Sequence, residues 1–281
     1  MIHRLVAGLL ALLLVFAALW GNRQHQAAVG ASLAGTLSQI VAVTNEPVVN
    51  CADIAAQRPL VLLALGQSNA GNLGERSAVD APPVTLIAEG KCIMATDPLP
   101  GSTGTGGSIW RRLPQHLRAL GLQRPVVLSV MGIDATSIAD WTDVASPLRR
   151  RLVNHIQSMH ALGLPPQAIL WQQGEADARL GTTAQAYGDS MGKLALALSI
   201  KGVEAPIFVA FSTVCRSAPN AAIRHAIVEK VSKIGRFRRG PDTDALAAPH
   251  DRWDGCHFSK NGLDSATQLW AAQLYFDFAS I

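Results

Sequence analysis

The chain has 281 residues, of which 49% are hydrophobic and 16% are charged, and this suits one large α/β domain with a buried core. The formal net charge of +4 is spread along the sequence, and the arginine-rich runs at residues 149–151 and 236–239 are typical of solvated surfaces. We therefore expect no nucleic-acid partner.

Residues 1–24 predict export of the chain. Arg4 precedes an apolar run from Leu5 to Gly21, and Arg23 follows it. The run just reaches the length of a membrane span, and the Val-Gly-Ala sequence at residues 29–31 lies far from it for a cleavage site. We favour an uncleaved membrane anchor over a cleaved signal peptide. Both interpretations place the remainder in the periplasm or otherwise outside the cytoplasm.

Residues 25–58 are rich in Ala, Gln, Ser and Thr and show little periodicity, which predicts a tether. The folded domain is expected over residues 59–281. The four cysteines, Cys51, Cys92, Cys215 and Cys256, suit an oxidising compartment and allow three pairings. Their spacing matches no zinc pattern.

The folded part alternates apolar strand signals with helical ones. Five strands are predicted, at Leu60–Leu65, Lys91–Ala95, Pro125–Met131, Ala168–Gln172 and Pro206–Ser212. Helices are predicted at Ile109–Leu120, Pro147–Leu162, Ala184–Ser199, Ala221–Ile234 and Asn261–Phe278. This alternation indicates a parallel sheet with helices on both faces.

Three polar clusters lie next to the predicted strands and helices. They are residues 66–69 after the first strand, residues 172–177 after the fourth, and residues 254–257 before the last helix. Because sites in parallel sheets form beyond the carboxyl ends of the strands, we expect the clusters to converge.

Ser68 admits two interpretations. It caps a strand-to-helix corner, or it is a nucleophile that needs a base and oxyanion donors. Asp254 and His257 are three residues apart, a spacing that lets the carboxylate orient the ring while the far ring nitrogen deprotonates Ser68. The Gln173 amide and the Ser68 backbone N–H are candidate oxyanion donors.

Three sequence segments together resemble the SGNH hydrolase superfamily, and more narrowly its sialate O-acetylesterase-type branch, similar to carbohydrate esterase family six. They are Gly66-Gln-Ser-Asn, Trp171-x-Gln-Gly-Glu-x-Asp and Asp254-x-x-His-Phe, and the segment TSIADW at residues 136–141 resembles the same branch.

The resemblance implies a three-layer α/β/α sandwich with a mostly parallel, five-stranded, flavodoxin-like sheet. It also implies a serine esterase without metal or other cofactor. In this comparison Ser68 matches the nucleophile, His257 the base and Asp254 its partner. Gln173 takes the place of an oxyanion asparagine. Gly107 is the best match for the oxyanion glycine, with Gly106 beside it as the alternative.

The resemblance also assigns supporting positions and shows one departure. Glu175 and Asp177 follow the branch pattern and are expected to support the loop rather than transfer protons, and Gln67 and Asn69 are expected to help them. Asp134 and Ala135 stand where such proteins often have two glycines.

The topology predicts one disulfide near the site. Cys215 follows the fifth strand and Cys256 lies within the predicted catalytic turn, so both belong at the same edge of the sheet. We expect a Cys215–Cys256 disulfide, and a second between Cys51 and Cys92.

The sequence therefore predicts a membrane-tethered esterase that removes O-acetyl groups from carbohydrate through an acetyl-enzyme on Ser68. Two alternatives stay open: an O-acyltransferase acting on exported polysaccharide, and a catalytically silent glycan-binding module. The oligomeric state is left open. Four tryptophans near the motif loops are candidates for stacking on sugar rings: Trp110, Trp141, Trp171 and Trp253.

Overall fold

The computed structural model describes residues 32–76, 81–233 and 235–279. The predicted membrane anchor at residues 1–24 lies outside these ranges. None of the helices within them is long and apolar enough to cross a membrane. The chain divides into two units, Met1–Ser38 and Gln39–Ile281. Residues 32–37 of the first unit are helical, and the second unit contains the sheet.

The sheet has eight strands: β1 Val48–Val49, β2 Leu60–Gly66, β3 Val84–Ala88, β4 Lys91–Ala95, β5 Val126–Gly132, β6 Ala168–Gln172, β7 Ile207–Phe211 and β8 Phe237–Asp242. Within the described ranges of the second unit the α-helices are α1 Cys51–Ala56, α2 Leu113–Ala119, α3 Ile138–Thr142, α4 Pro147–Ala161, α5 Glu175–Leu180, α6 Ala184–Ser199, α7 Ala221–Lys233 and α8 Lys260–Phe278. Short 3-10 turns cover Ser68–Ala70 and Thr243–Ala245.

The strands are ordered β1-β4-β3-β5-β2-β6-β7-β8 across the sheet. The six strands from β3 to β8 in this order pair in parallel. At the other edge β4 runs antiparallel to β3, and β1 runs antiparallel to β4. The fold is thus the expected mostly parallel α/β fold.

The predicted number of five strands was wrong, because the sheet has eight. The sequence Phe-Arg-Arg-Gly-Pro-Asp of β8 shows no apolar run, since β8 is an edge strand with two exposed arginines and needs burial on fewer sides. β3 forms a hairpin with β4 through Glu89 and Gly90, and β1 has only two residues.

Helices cover the sheet on both faces. Alternate residues of β2, Leu60, Leu62 and Ala64, share one core cluster with Leu113 of α2 and Trp270 of α8. Successive side chains of a strand point to opposite faces, so the residues between them face the other layer. This layer includes α4, which begins at the cap Ser146 and Pro147 and buries four residues, Leu148, Leu152, Ile156 and Met159.

The folded unit begins earlier than residue 59. β1 and α1 lie within the stretch predicted as a tether, β1 pairs with β4, and Cys51 is bonded to Cys92. Residues 48–56 are therefore folded. Their strand and helix are too short to give a periodic signal in the sequence.

The register of the central strands brings the carboxyl ends of three strands together. Gly66 at the end of β2 lies opposite Gly132 of β5 on one side and Gln172 of β6 on the other. A β-carbon at Gly66 would lie 2.0 Å from the Gln172 carbonyl oxygen, and one at Gly132 would lie 2.2 Å from the Gly71 nitrogen. Only glycine permits this close approach, which places the three following loops side by side.

Candidate active site

Ser68 opens the 3-10 turn that follows β2, and its side chain is nearly buried. Its hydroxyl makes no hydrogen bond to any residue that the structure describes, and its backbone N–H is likewise free there. The Gly71 N–H donates to the Ser68 carbonyl at 3.0 Å. Ser68 therefore presents an unengaged oxygen and an unengaged N–H at one point, as the first residue of a helical turn does.

Asp254 and His257 form a close pair. Asp254 Oδ2 lies 2.9 Å from His257 Nδ1, and Asp254 Oδ1 accepts from the backbone N–H groups of His257 at 2.7 Å and Cys256 at 2.9 Å. Partial burial works to raise the pKa of Asp254, but these hydrogen bonds outweigh it and lower the pKa to about 2. An ionised carboxylate thus fixes the ring, and His257 Nε2 has no hydrogen-bond partner among the described residues.

Asn69 connects the serine loop with the histidine loop. Its Nδ2 donates to Glu175 Oε1 at 2.8 Å and to the Cys256 carbonyl at 3.2 Å. Because Asn69 follows Ser68 and Cys256 precedes His257, this bond holds the two predicted catalytic residues in neighbouring positions. No hydrogen bond joins Ser68 and His257 directly.

Glu175 lies buried behind this contact. Its Oε1 also accepts from the Ser212 hydroxyl at 2.7 Å, while Oε2 has no partner among the described residues. Burial raises the pKa of Glu175, and the hydrogen bonds from Asn69 and Ser212 oppose that rise. The Glu175 carboxylate contacts Asn69 and Ser212 rather than the Ser68 hydroxyl.

Gln173 differs from the prediction of a free oxyanion donor. Its amide nitrogen lies 2.5 Å from Asp177 Oδ2 and 3.1 Å from the Thr136 carbonyl, and its oxygen accepts from Tyr187. The side chain is fully buried, so its donors are already used. The same amide lies 3.4 Å from Gln67 Oε1, which places Gln173 in the network that supports the loops.

Gly107, the predicted oxyanion glycine, also has its backbone N–H engaged. Its N–H donates to the Gly74 carbonyl at 3.0 Å, and that of Gly106 donates to the Asn72 carbonyl at 2.7 Å. Both donors are taken up by the pairing of residues 72–74 with residues 106–107.

Ala135, which the sequence analysis did not name as an oxyanion donor, has an unusual backbone conformation. Its φ is +57°, an uncommon conformation for alanine, and its N–H has no acceptor among the described residues. Its neighbours are fixed at the site, since the Asp134 N–H donates to Thr103 Oγ1 at 2.8 Å and the Thr136 carbonyl accepts from Gln173. The sequence does mark this position, because Asp134 and Ala135 stand where proteins of the resembling family often have two glycines.

A disulfide closes the outer side of the histidine loop. Cys215, after β7, is bonded to Cys256 as expected, and Cys51 is bonded to Cys92. Arg216, next to the first bridge, places its guanidinium 3.4 Å from Asp254 Oδ2. The bridge therefore joins the β7 loop to the loop that carries Asp254 and His257.

A second serine–histidine pair, Ser129 and His155, lies between β5 and α4, away from Ser68. Ser129 Oγ is 2.5 Å from His155 Nε2, at a cavity of about 540 Å³ between β5 and α4. The Ser129 hydroxyl donates to the Ile87 carbonyl, and no carboxylate binds His155 among the described residues. Burial, together with Arg151, lowers the pKa of His155 to about 4. This pair lacks the oriented base that an activated serine needs.

Within residues 32–76, 81–233 and 235–279, no group of three His, Cys, Asp or Glu side chains is placed to hold an ion.

Residues 114–273 match the family model for carbohydrate esterase, sialic acid-specific acetylesterase. The match covers more than half of the chain and includes Asp254 and His257, but it begins after Ser68. No curated protein matches the chain.

Solved structures show the same fold. A protein from Arabidopsis thaliana is 19% identical with a TM-score of 0.60, covering 79% of this chain and 98% of its own. A carbohydrate acetylesterase from Xanthomonas citri is 15% identical with a TM-score of 0.56, covering 79% of this chain and 56% of its own. A family 3 carbohydrate esterase from Clostridium thermocellum is 13% identical with a TM-score of 0.51, covering 79% and 98%.

Proposed function

Because the chain belongs to the sialic acid-specific acetylesterase family of carbohydrate esterases, we propose that it removes O-acetyl groups from carbohydrate through an acetyl-enzyme on Ser68. The observation that carries this proposal is the Asp254–His257 pair, with Oδ2 and Nδ1 2.9 Å apart, held beside Ser68 by the Asn69–Cys256 hydrogen bond. The carboxylate keeps the proton on Nδ1, so Nε2 has the lone pair that a general base needs.

The first half of the reaction acylates the serine. His257 Nε2 takes the Ser68 hydroxyl proton as Oγ attacks the acetyl carbonyl carbon, and the carbonyl π electrons move to the oxygen. The tetrahedral intermediate then collapses, the bond to the sugar oxygen breaks, and His257 returns the proton to this leaving oxygen. The sugar leaves with a free hydroxyl. Contacts between a nucleophile and its base often tighten only when substrate binds, and the scheme places a Ser68–His257 hydrogen bond in the substrate complex.

Two backbone N–H groups stabilise the negative oxygen in this scheme. Ser68 and Ala135 each have an N–H that is free within the described residues, and both lie in loops at the carboxyl ends of adjacent strands, β2 and β5. Donors held in place for the developing charge cost no reorganisation during the reaction. Ala135 replaces Gly107 in this assignment.

The second half of the reaction restores the enzyme. Water enters where the sugar left, His257 takes a proton from it, and the hydroxyl attacks the acetyl carbonyl carbon. Collapse of this intermediate breaks the bond to Ser68 Oγ, which regains its proton from His257, and acetate is released.

The proposal includes a location outside the cytoplasm. The two disulfides suit a periplasmic or extracellular protein. Attachment to a membrane by residues 1–24 is the further expectation from the sequence.

Acetate release by the full chain from a panel of mono-O-acetylated sugars tests the proposal. We expect hydrolysis by the wild type, loss of about 10⁴-fold or more in kcat for Ser68→Ala, and retained activity for Ser129→Ala at the other serine–histidine pair. Equal rates for wild type and Ser68→Ala would reject the acetyl-enzyme. Transfer of acetyl to an added polysaccharide with little free acetate would favour the acyltransferase. Binding of glycan without turnover would favour the silent module.

A further inference from the structure

An open groove leads away from His257. It has a volume of about 510 Å³, and its walls come from residues 72–76 and residues 104–106, with Trp253, Asp254 and His257 at one side. We propose that Trp253 forms a pyranose-binding subsite in this groove, on which the sugar ring stacks while its acetyl ester reaches Ser68. This inference rests on the proposed function and adds where the sugar is held.

Trp253 differs from the other tryptophans of the described chain. It is 56% exposed, whereas Trp110, Trp141, Trp171 and Trp270 are at most 1% exposed. Those four are packing residues, so the sequence-based candidates for sugar stacking reduce to one. Trp253 instead lies at the groove beside His257, where an exposed indole can contact a ligand.

The indole is held in a fixed position. Its Nε1 lies 3.4 Å from the Leu73 carbonyl, and the Trp253 backbone N–H donates to the His257 carbonyl at 3.0 Å. The indole and imidazole rings are nearly parallel, at 28°, with centroids 6.3 Å apart. A ring that is already ordered loses little side-chain entropy when a ligand covers it.

The chemistry of this surface fits a sugar ring. One side of a pyranose presents C–H groups, which bury apolar area against an indole, while its hydroxyls stay at the ring edge. Polar groups lie around the groove to receive them, including the exposed Thr105 hydroxyl and the Glu75 carboxylate, whose Oε2 accepts from the Lys260 N–H at 3.0 Å. Pockets of this size, with few polar groups, are typical ligand sites.

Trp253 also touches the proposed base, so a purely structural effect on His257 must be separated from sugar binding. We therefore compare two acetyl esters in the full chain. One is ethyl acetate, which has no ring. The other is the mono-O-acetylated methyl pyranoside that the wild type hydrolyses fastest. Phe276→Ala is the matched control, because Phe276 is an 82% exposed aromatic on α8 that does not line the groove.

We expect Trp253→Ala to raise KM for the pyranoside by about tenfold or more, with ethyl acetate hydrolysis nearly unchanged. Trp253→Phe should keep KM for the pyranoside close to the wild-type value, and Phe276→Ala should leave the hydrolysis of both esters unchanged. An equal loss on both esters would mean that Trp253 only supports His257, and no loss on either would mean that sugar does not touch it. Both results would overturn the subsite. If the wild type hydrolyses neither ester, it is the proposed function that fails.

Discussion

Asp254 holds His257 at two points, with Oδ2 2.9 Å from the ring nitrogen Nδ1 and Oδ1 accepting from the backbone N–H at 2.7 Å. The two contacts fix both the position of the loop and the tautomer of the ring. The carboxylate needs its charge for the second task but only an acceptor oxygen for the first.

Asp254→Asn separates these tasks. The asparagine oxygen can still accept from the loop N–H groups, but its amide now donates to Nδ1, so the ring proton moves to Nε2 and the base is lost. We expect kcat for acetyl ester hydrolysis to fall by about 10³- to 10⁴-fold, with a circular dichroism spectrum like that of the wild type. A loss below about tenfold would contradict the assigned tautomer.

Asp254→Asn should also change how the free energy of unfolding depends on pH. Because the pKa of Asp254 is lowered from 3.8 to about 2 in the folded chain, the ionised carboxylate contributes stability above pH 3.8 that is lost as the pH falls through 2. In urea unfolding, the stability lost in Asp254→Asn should therefore shrink as the pH falls below about 4. A difference that does not change with pH would contradict this.

The two disulfides provide a matched pair for testing the histidine loop. Each joins cysteines 41 residues apart, so loop closure predicts a similar loss of about 4 kcal/mol when either bridge is removed. Only Cys215–Cys256 adjoins His257. Replacing both of these cysteines by alanine should lower kcat by about tenfold or more, whereas replacing Cys51 and Cys92 should leave kcat nearly unchanged. The two variants are compared by measuring kcat at a temperature where both are folded. Equal losses of kcat would contradict a specific role of the Cys215–Cys256 disulfide in positioning His257.

Glu175 is assigned to holding Asn69 rather than to proton transfer. Glu175→Gln keeps the acceptor for Asn69 and Ser212 and removes the buried charge, so activity should stay within about tenfold of the wild type. Glu175→Ala leaves the Asn69 amide without this acceptor and should be less active than Glu175→Gln. A Glu175→Gln variant as inactive as Ser68→Ala would show that the carboxylate takes part in the chemistry.

The stability of Glu175→Gln should depend on pH in the opposite sense to Asp254. Because burial raises the pKa of Glu175 above 4.5, the wild type is favoured at low pH and loses that stability as the pH rises through the folded pKa. Relative to wild type, the variant should therefore gain stability between acidic and neutral pH in urea unfolding. A gain toward acidic pH would contradict this.

Ala135 adopts a conformation that suits glycine better. At φ +57° a β-carbon costs about 1 kcal/mol or more, which offsets the usual loss from alanine to glycine. Ala135→Gly should leave the free energy of unfolding unchanged or raise it, with activity retained because the N–H remains. Ala272→Gly, at an exposed position within α8, is the control and should lose about 1 kcal/mol. Equal losses for the two variants in urea unfolding would contradict the strain at Ala135.

The parts of the fold that are predictable from sequence are those with a local cause. β2 and β6 are buried on both faces, so their apolar runs are continuous. β8 lies at an edge and carries two exposed arginines, so no apolar pattern marks it. The Asp254–His257 contact spans three residues of one turn, and such a spacing is readable in the sequence.

Of the oxyanion donors predicted from the sequence, the Ser68 N–H is free within the described residues, but Gly107 and Gln173 are engaged elsewhere. A free N–H depends on which acceptors the folded chain brings to it, and Gly107 is taken by Gly74 across a gap of 33 residues. The amide of Gln173 is taken by Asp177 and Thr136. Only the tertiary arrangement shows that Ala135 keeps its donor.

A serine-directed phosphonate identifies the nucleophile, because it reacts preferentially with an activated serine hydroxyl and leaves a covalent adduct on it. Peptide mass mapping of the active full chain should find one adduct, on Ser68, formed in step with the loss of acetylesterase activity and absent from Ser68→Ala. An inactivated chain whose adduct lies on another residue, such as Ser129, would contradict the account, as would a fully active chain that forms none.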